Sequence, residues 1–127
     1  MPVALITGCS SGIGRALADA FKAAGFDVWA SARKTEDVAV LSAAGFTAVQ
    51  LDVNDGAALE QLAERINQQH GGLDVLINNA GYGAMGPLLD GGVPAMQRQF
   101  ETNVFSIVGV TRALFPVLRR TKGLVVN

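Results

Sequence analysis

Apolar positions along this chain fall into short unbroken runs that alternate with longer stretches of helical spacing. Val3 to Thr7 is a continuous run ending at a glycine, the pattern of a strand covered on both faces. After Gly8 to Gly12, apolar residues recur at Ile13, Leu17, Ala20, Phe21 and Ala24, a helical stripe closed by Gly25. Asp27 to Ala32 reads as a second strand, Glu36 to Ala44 as a short helix before Gly45, and Phe46 to Leu51 as a third strand. Asp55 is placed to cap a helix that reaches Gln69 with Leu59, Leu62 and Ile66 on one face, and Leu73 to Ile77 is a fourth buried strand. A glycine-rich loop then spans Gly81 to Gly92. A long helix from Pro94 to Arg120 carries an apolar stripe of Met96, Phe100, Val104, Ile107, Val108, Leu114 and Leu118 before Gly123 stops it, and Leu124 to Val126 opens a fifth strand.

Alternation of this kind requires crossover connections, which are right-handed, so the expected product is an α/β fold: a twisted parallel sheet with helices on both faces, of the Rossmann type. No internal repeat, low-complexity tract or linker divides the chain, so residues 1–127 read as a single domain. Asn127 falls where the fifth strand has barely begun, and the sheet is expected to be truncated there, incomplete at its C-terminal end. The bare edge and helix face this would leave predict a homo-oligomer, joined through Leu124 to Val126 or through the Pro94 to Arg120 helix.

Composition narrows the classes of function. Half of the residues are hydrophobic and 17% charged, which excludes a disordered segment, and a net charge of -1 supplies no basic field for nucleic acid or an anionic membrane. Apolar runs are broken well short of the roughly 18 residues of a membrane span. The single cysteine, Cys9, can form no internal disulfide, and Met1-Pro2-Val3 lacks a charged leader, so a cytoplasmic location is expected. No histidine or cysteine cluster offers a metal site.

The candidate chemistry starts at Thr7-Gly8-Cys9-Ser10-Ser11-Gly12-Ile13-Gly14, between the first strand and the first helix. Gly8 can take backbone angles closed to side chains, Gly12 lets the main chain approach a diphosphate, and Gly14 lets helix and strand pack closely. Free amides at the helix start, in a loop that includes Ser10, Ser11 and Ile13, then face the anion. An ordinary glycine turn shares the pattern, but its position at the first strand-to-helix junction of an alternating chain favours a nucleotide. Cys9 lies where a thiolate would be stabilised, or is a small side chain filling the loop. His70, at a helix end before Gly71-Gly72, suits the helix dipole better than it suits catalysis.

Thr-Gly-x-x-x-Gly-Ile-Gly resembles the signature of the short-chain dehydrogenase/reductase family, and three further motifs follow in the family's order. Leu51-Asp52-Val53 resembles the segment ending the third strand, whose aspartate meets the adenine amino group; Asp52 could instead cap a turn with Asn54. Asn78-Asn79-Ala80-Gly81 resembles the motif that braces the sheet and lines the cofactor, with strand-end turn formers as the alternative. Asn103, in Glu101-Thr102-Asn103-Val104, resembles the helix asparagine whose carbonyl holds a water of the family's proton relay; its place inside an apolar stripe calls for a specific partner in any case. The second strand ends Ala30-Ser31-Ala32-Arg33-Lys34, with no carboxylate to receive ribose hydroxyls and a guanidinium that suits a phosphate. In the family this arginine marks NADP(H) over NAD(H); otherwise Arg33 and Lys34 are solvated charges.

The resemblance implies hydride transfer between nicotinamide and a carbonyl or alcohol, with a tyrosine, a lysine four residues later and a preceding serine. A lysine ammonium lowers a neighbouring phenol's pKa toward working pH. The only tyrosine, Tyr82, is followed four residues on by Gly86, so that pair is not present and Tyr82 reads as packing near the cofactor or as plain loop packing. The chain is therefore expected to be the cofactor-binding portion of a longer enzyme, inactive alone, or a non-catalytic NADP(H)-binding module or assembly partner. The Cys-Ser-Ser loop and Asn-Asn-Ala-Gly-Tyr-Gly resemble the retinol and 17β-hydroxysteroid dehydrogenase branch, which implies a lipophilic substrate.

Overall fold

A computed structural model describes residues 1–127, the whole chain. Five parallel strands, β1 (Val3–Ile6), β2 (Asp27–Ala32), β3 (Thr47–Gln50), β4 (Val75–Ile77) and β5 (Leu124–Val126), form one sheet in the order β3-β2-β1-β4-β5. The chain steps outward from β1 through β2 to β3, then crosses back to place β4 on the other side of β1. The strand order therefore reverses at the β1/β4 boundary, and a crevice opens there beyond the carboxyl ends of the strands.

Alternation along each strand sorts the core into two layers. Ala4, Ile6, Val28, Ala30, Ala32, Val75 and Ile77 face α1 (Gly12–Ala23) and α2 (Thr35–Ala43), where they meet Ala18, Leu41 and Phe46. Val3, Leu5, Trp29, Val49 and Leu76 face α3 (Gly56–His70) and α5 (Ser106–Thr121), packing on Leu59, Leu62, Ile66, Val110, Leu114 and Val117. The alanines at the first face let α1 settle close to the sheet. Within α1 the buried stripe is Gly14 and Ala18 with Leu17 and Phe21 half-buried, whereas Ile13, expected on that stripe, stands 73% exposed at the helix mouth. Asp55 caps α3 as its position predicts, its Oδ1 accepting from the Ala58 amide at 3.1 Å.

The region read as one loop followed by one long helix is built differently. A helix, α4 (Leu88–Phe100), begins inside the expected loop and is interrupted at Gly92 (φ 60, ψ -163), so that Pro94 falls in the first turn of a fresh helical run, where its missing amide costs nothing. A π turn (Glu101–Phe105), with the Ser106 amide reaching back to the Glu101 carbonyl, then separates α4 from α5. One inserted residue rotates everything after it by about 100° against a continuous helix. The expected stripe is split in consequence: Val104 and Val108 are exposed, and the buried face of α5 is Ser106, Val110, Leu114, Val117 and Leu118. The stop is also displaced. Lys122 takes the left-handed conformation (φ 54), while Gly123 lies where a Cβ would come within 2.6 Å of the Leu73 carbonyl. No helix is long and apolar enough to cross a membrane.

Candidate nucleotide-binding site

Thr7, buried at the end of β1, organises the loop that follows. Its Oγ1 accepts from the amides of Asn79 (3.1 Å) and Ala80 (3.0 Å), tying the end of β1 to the end of β4. Asn79 completes the tie from its side chain, Nδ2 donating to the carbonyls of Thr7 (3.1 Å) and Gly8 (3.0 Å). From the other flank Ser31 holds the same loop: its Oγ accepts from the Gly8 amide at 3.3 Å and its carbonyl from the Cys9 amide at 2.7 Å. The glycines answer to this crowding in different ways. Gly8 (φ 71) passes so near Ala80 that a Cβ would lie 2.8 Å from its Cα, and a Cβ on Gly14 would strike the Gly8 carbonyl and the Asn79 amide group. Gly12 (φ 60) has open space around it and is needed for its backbone angle alone.

Immediately after this loop α1 begins with its first-turn amides uncapped. Ser11 at the N-cap is extended (φ -162), its side chain makes no capping bond, and the first turn carries no acidic residue. Those donors, with the positive end of the helix dipole, give a partial positive charge suited to an anion.

A cleft of ≈ 340 Å³ opens on this helix start. One wall is Gly8, Ser10, Ser11, Ile13 and Gly14; a second is Ser31, Ala32 and Arg33 from β2; Leu51, Asp52 and Val53 close a third; and Asn79, Ala80, Gly81, Tyr82 and Thr102 complete it. Every residue expected at a cofactor lines this cleft except Gly12, which shapes the loop without forming the wall. A larger and shallower depression of ≈ 440 Å³ between α3 and α5 touches neither the glycine loop nor the ends of β1, β2 and β4, and so lacks the anion-binding amides.

Charge within the cleft is sparse. Ala32, buried, occupies the place where a carboxylate would meet ribose hydroxyls, and the exposed Arg33 beyond it forms no ion pair and no side-chain hydrogen bond; only its carbonyl is engaged, by Gln50 Nε2 at 3.0 Å. Asp52 does make the turn with Asn54, whose amide donates to Oδ1 at 2.9 Å, which leaves Oδ2 free at the cleft wall. The thiol of Cys9 is fully buried and donates to the Ile6 carbonyl at 3.2 Å; burial pushes it up to about 11, against smaller lowering by the Ser31 backbone bond and by Arg15. It is loop filling, not a nucleophile.

Asn103 sits in the π turn, and its side chain takes the Tyr82 peptide at both ends: Oδ1 accepts from the Tyr82 amide (2.9 Å) and Nδ2 donates to the Tyr82 carbonyl (2.7 Å). The partner its position called for is thus the floor of the Gly81 to Gly92 segment, and Asn103 stands behind the cleft wall, outside its lining. Beside it Thr102 Oγ1 accepts from Asn54 Nδ2 at 3.0 Å, joining the loop after β3 to the π turn. Asn78 faces away, donating to Thr111 Oγ1 and Asn127 Oδ1. His70, in the last turn of α3, lies with Nε2 3.1 Å from Trp29 Nε1 and 3.4 Å from Asp27 Oδ2, remote from the cleft. The sequence reading quoted Thr7 and Ser31 within its motifs but missed their bracing roles; the signal for these was a hydroxyl at the end of an otherwise apolar strand, where each must find a partner.

Known proteins share this arrangement. The short chain dehydrogenase family model matches residues 2–127. The short-chain dehydrogenase cctT of Talaromyces islandicus is 37% identical over 126 residues, 97% of this chain and 44% of that protein. The NADPH-dependent 1-acyldihydroxyacetone phosphate reductase of Schizosaccharomyces pombe is 36% identical over 97% of this chain and 42% of its own length. The crystal structure of a short-chain dehydrogenase from Streptomyces avermitilis superposes with a TM-score of 0.87 at 40% identity, covering 98% of this chain and 47% of that one. The chain thus spans less than half the length of these relatives. With the family model matching nearly every residue and the parallel sheet and glycine loop in place, the chain belongs to the short-chain dehydrogenase/reductase family.

Proposed function

We propose that this chain is the NADP(H)-binding portion of an oxidoreductase that moves hydride between nicotinamide and a carbonyl or alcohol. The observation that carries the reading is the single cleft in which uncapped helix amides, the free Asp52 Oδ2 and an unpaired Arg33 converge. The α1 amides, with Ser10 and Ser11, take the diphosphate; Asp52 and Val53 border the adenine; Arg33 meets the 2′-phosphate with a planar two-pronged contact. Asn79 and Ala80 hold the loop to which the diphosphate binds, and Gly81 with Tyr82 continues the wall toward the nicotinamide end. Asn103 fixes that wall through Tyr82, and its carbonyl is the group we assign to a relay water. NADP(H), when bound, supplies or accepts the hydride. The S. pombe relative's NADPH dependence agrees with this preference. We place the protein in the cytoplasm, with a small and lipophilic substrate.

A second reading is a non-catalytic NADP(H)-binding module, which would use the same cleft. Both readings require the same binding result and part at turnover with NADPH and a panel of lipophilic carbonyls. Calorimetry on the folded chain is expected to give saturable heat with NADP+ and a weaker response to NAD+. Arg33→Ala should weaken NADP+ binding about tenfold or more, with NAD+ changed by less than about twofold. Equal losses would defeat the cofactor preference, and no heat with either nucleotide would defeat the site.

A further inference from the structure

An open groove of ≈ 600 Å³ adjoins the nucleotide cleft, sharing Arg33, Tyr82 and Thr102 with it and adding Asn54, Arg98 and Glu101. Two guanidinium groups therefore line one groove, from opposite sides of the fold: Arg33 follows β2, and Arg98 rides on the last turn of α4. Both are exposed, and neither is engaged by the protein. Arg15 pairs with Asp19, Arg65 lies 5.1 Å over the Trp29 ring, and Arg120 donates to Asn67 and the Gly71 carbonyl, while Arg112, unengaged like Arg98, lines a different depression, between α3 and α5. Arg98 lines the groove together with Thr102 of the π turn, and Thr102 is anchored against the cleft by Asn54. The groove holds a single carboxylate, Glu101, against the two cations, so its balance is positive only while both arginines are present.

Two like charges sharing a groove disfavour one another unless an anion comes between them. A phosphate monoester carries about -1.5 to -2 charge near neutral pH, more than one guanidinium neutralises. We infer that Arg98 is the second cation of the 2′-phosphate position, closing from α4 over a group that Arg33 meets from β2, and that it is a specificity-determining residue for NADP(H) over NAD(H). This rests on the NADP(H) reading above. It places part of the cofactor's selection on α4, which buries none of its own residues and is joined to the cleft through the π turn and through Gln99 Nε2, which donates to the Tyr82 carbonyl at 3.5 Å.

Calorimetry with NADP+, NAD+ and adenosine 2′,5′-bisphosphate on the parent chain, Arg98→Ala, Arg98→Lys and Arg33→Ala tests it, with far-UV circular dichroism to verify folding. Arg98→Ala should weaken NADP+ and the bisphosphate about five- to tenfold and leave NAD+ unchanged, Arg98→Lys should recover part of the loss, and the salt dependence of NADP+ binding should become shallower. If Arg98→Ala binds NADP+ like the parent while Arg33→Ala does not, the role of Arg98 is overturned and the cofactor reading stands. Equal weakening of NADP+ and NAD+ by Arg98→Ala overturns it as well, since the loss would not concern the 2′-phosphate. A parent chain that does not prefer NADP+ overturns both.

Discussion

Replacing Thr7 with valine keeps the shape of a fully buried side chain and removes only its oxygen, which isolates what that oxygen does. The Ala80 amide, 3.0 Å from Oγ1, has no other acceptor; the Asn79 amide, at 3.1 Å, also reaches the Ile77 carbonyl. Thr7→Val therefore leaves one partly buried donor without its acceptor, at about 1–3 kcal/mol, and weakens a second by about 1 kcal/mol, for an expected loss of about 2–4 kcal/mol. Thr7→Ser retains the hydroxyl and gives up one buried methyl, about 1 kcal/mol. Against a domain stability of about 5–15 kcal/mol these are large effects, and with a urea slope near 2 kcal/mol/M they move the unfolding midpoint by about 1–2 M and about 0.5 M. Urea unfolding followed by the fluorescence of the only tryptophan, Trp29, measures both. Because the same oxygen locates Asn79 and through it the Gly8 carbonyl, NADP+ affinity should fall in Thr7→Val even at low denaturant. A valine variant within about 0.5 kcal/mol of the parent, or a serine variant less stable than the valine one, would refute the reasoning.

Two further outcomes are expected. The Cys9 thiol ionises near its ordinary 9.0 in the unfolded chain but is pushed up to about 11 by burial, so between those values the folded state holds the extra proton and stability falls as pH rises through the window. Unfolding midpoints at alkaline pH should decline less in Cys9→Ala than in the parent; identical slopes would show that the thiol is not responsible. We also propose that residues 1–127, taken by themselves, self-associate through β5 and the adjoining face of α5, where Val108 (69% exposed), Phe115 (56%) and Leu124 (60%) present apolar surface. Sedimentation velocity should show concentration-dependent association that Phe115→Glu reduces, and a non-aggregating monomer at high concentration contradicts the proposal.

What was legible in the sequence follows from the range of the interactions involved. Strands and helices declare themselves through period and turn chemistry, and β1 to β5 and α1 to α3 lie within a few residues of where those signals put them. Asp52 and Asn79 were legible through the resemblance of their motifs to the family, and Arg33 through the lack of a carboxylate at the end of the second strand; a parallel sheet that reverses order at β1/β4 brings such strand ends to one crevice. The π turn was not legible, because one residue of extra phase leaves the apolar composition of the segment unchanged and alters only which side chains are buried. Gly14 was read as serving helix-to-strand packing in general, whereas its immediate neighbours are the Gly8 carbonyl and the side chain of Asn79, which is 65 positions away in the chain.

The two hydroxyls whose roles the sequence left unread, those of Thr7 and Ser31, belong with Asn79 to one device, and that device accounts for the shape of the site. Thr7, Ser31 and Asn79 use side-chain oxygens and an amide to fasten backbone groups on three neighbouring strand ends, so the glycine loop is held from both flanks by parts of the chain 23 and more than 70 residues away. Nothing is left over to satisfy the first amides of α1. A loop free to move would fold back to cap them, and Ser11, suitably placed, does not. Holding the loop in that conformation keeps donors open that an unconstrained chain would close, and under the proposed function the affinity for a diphosphate depends on how completely the fastening persists, so that a single methyl in place of the Thr7 hydroxyl should reach nucleotide binding as well as the core.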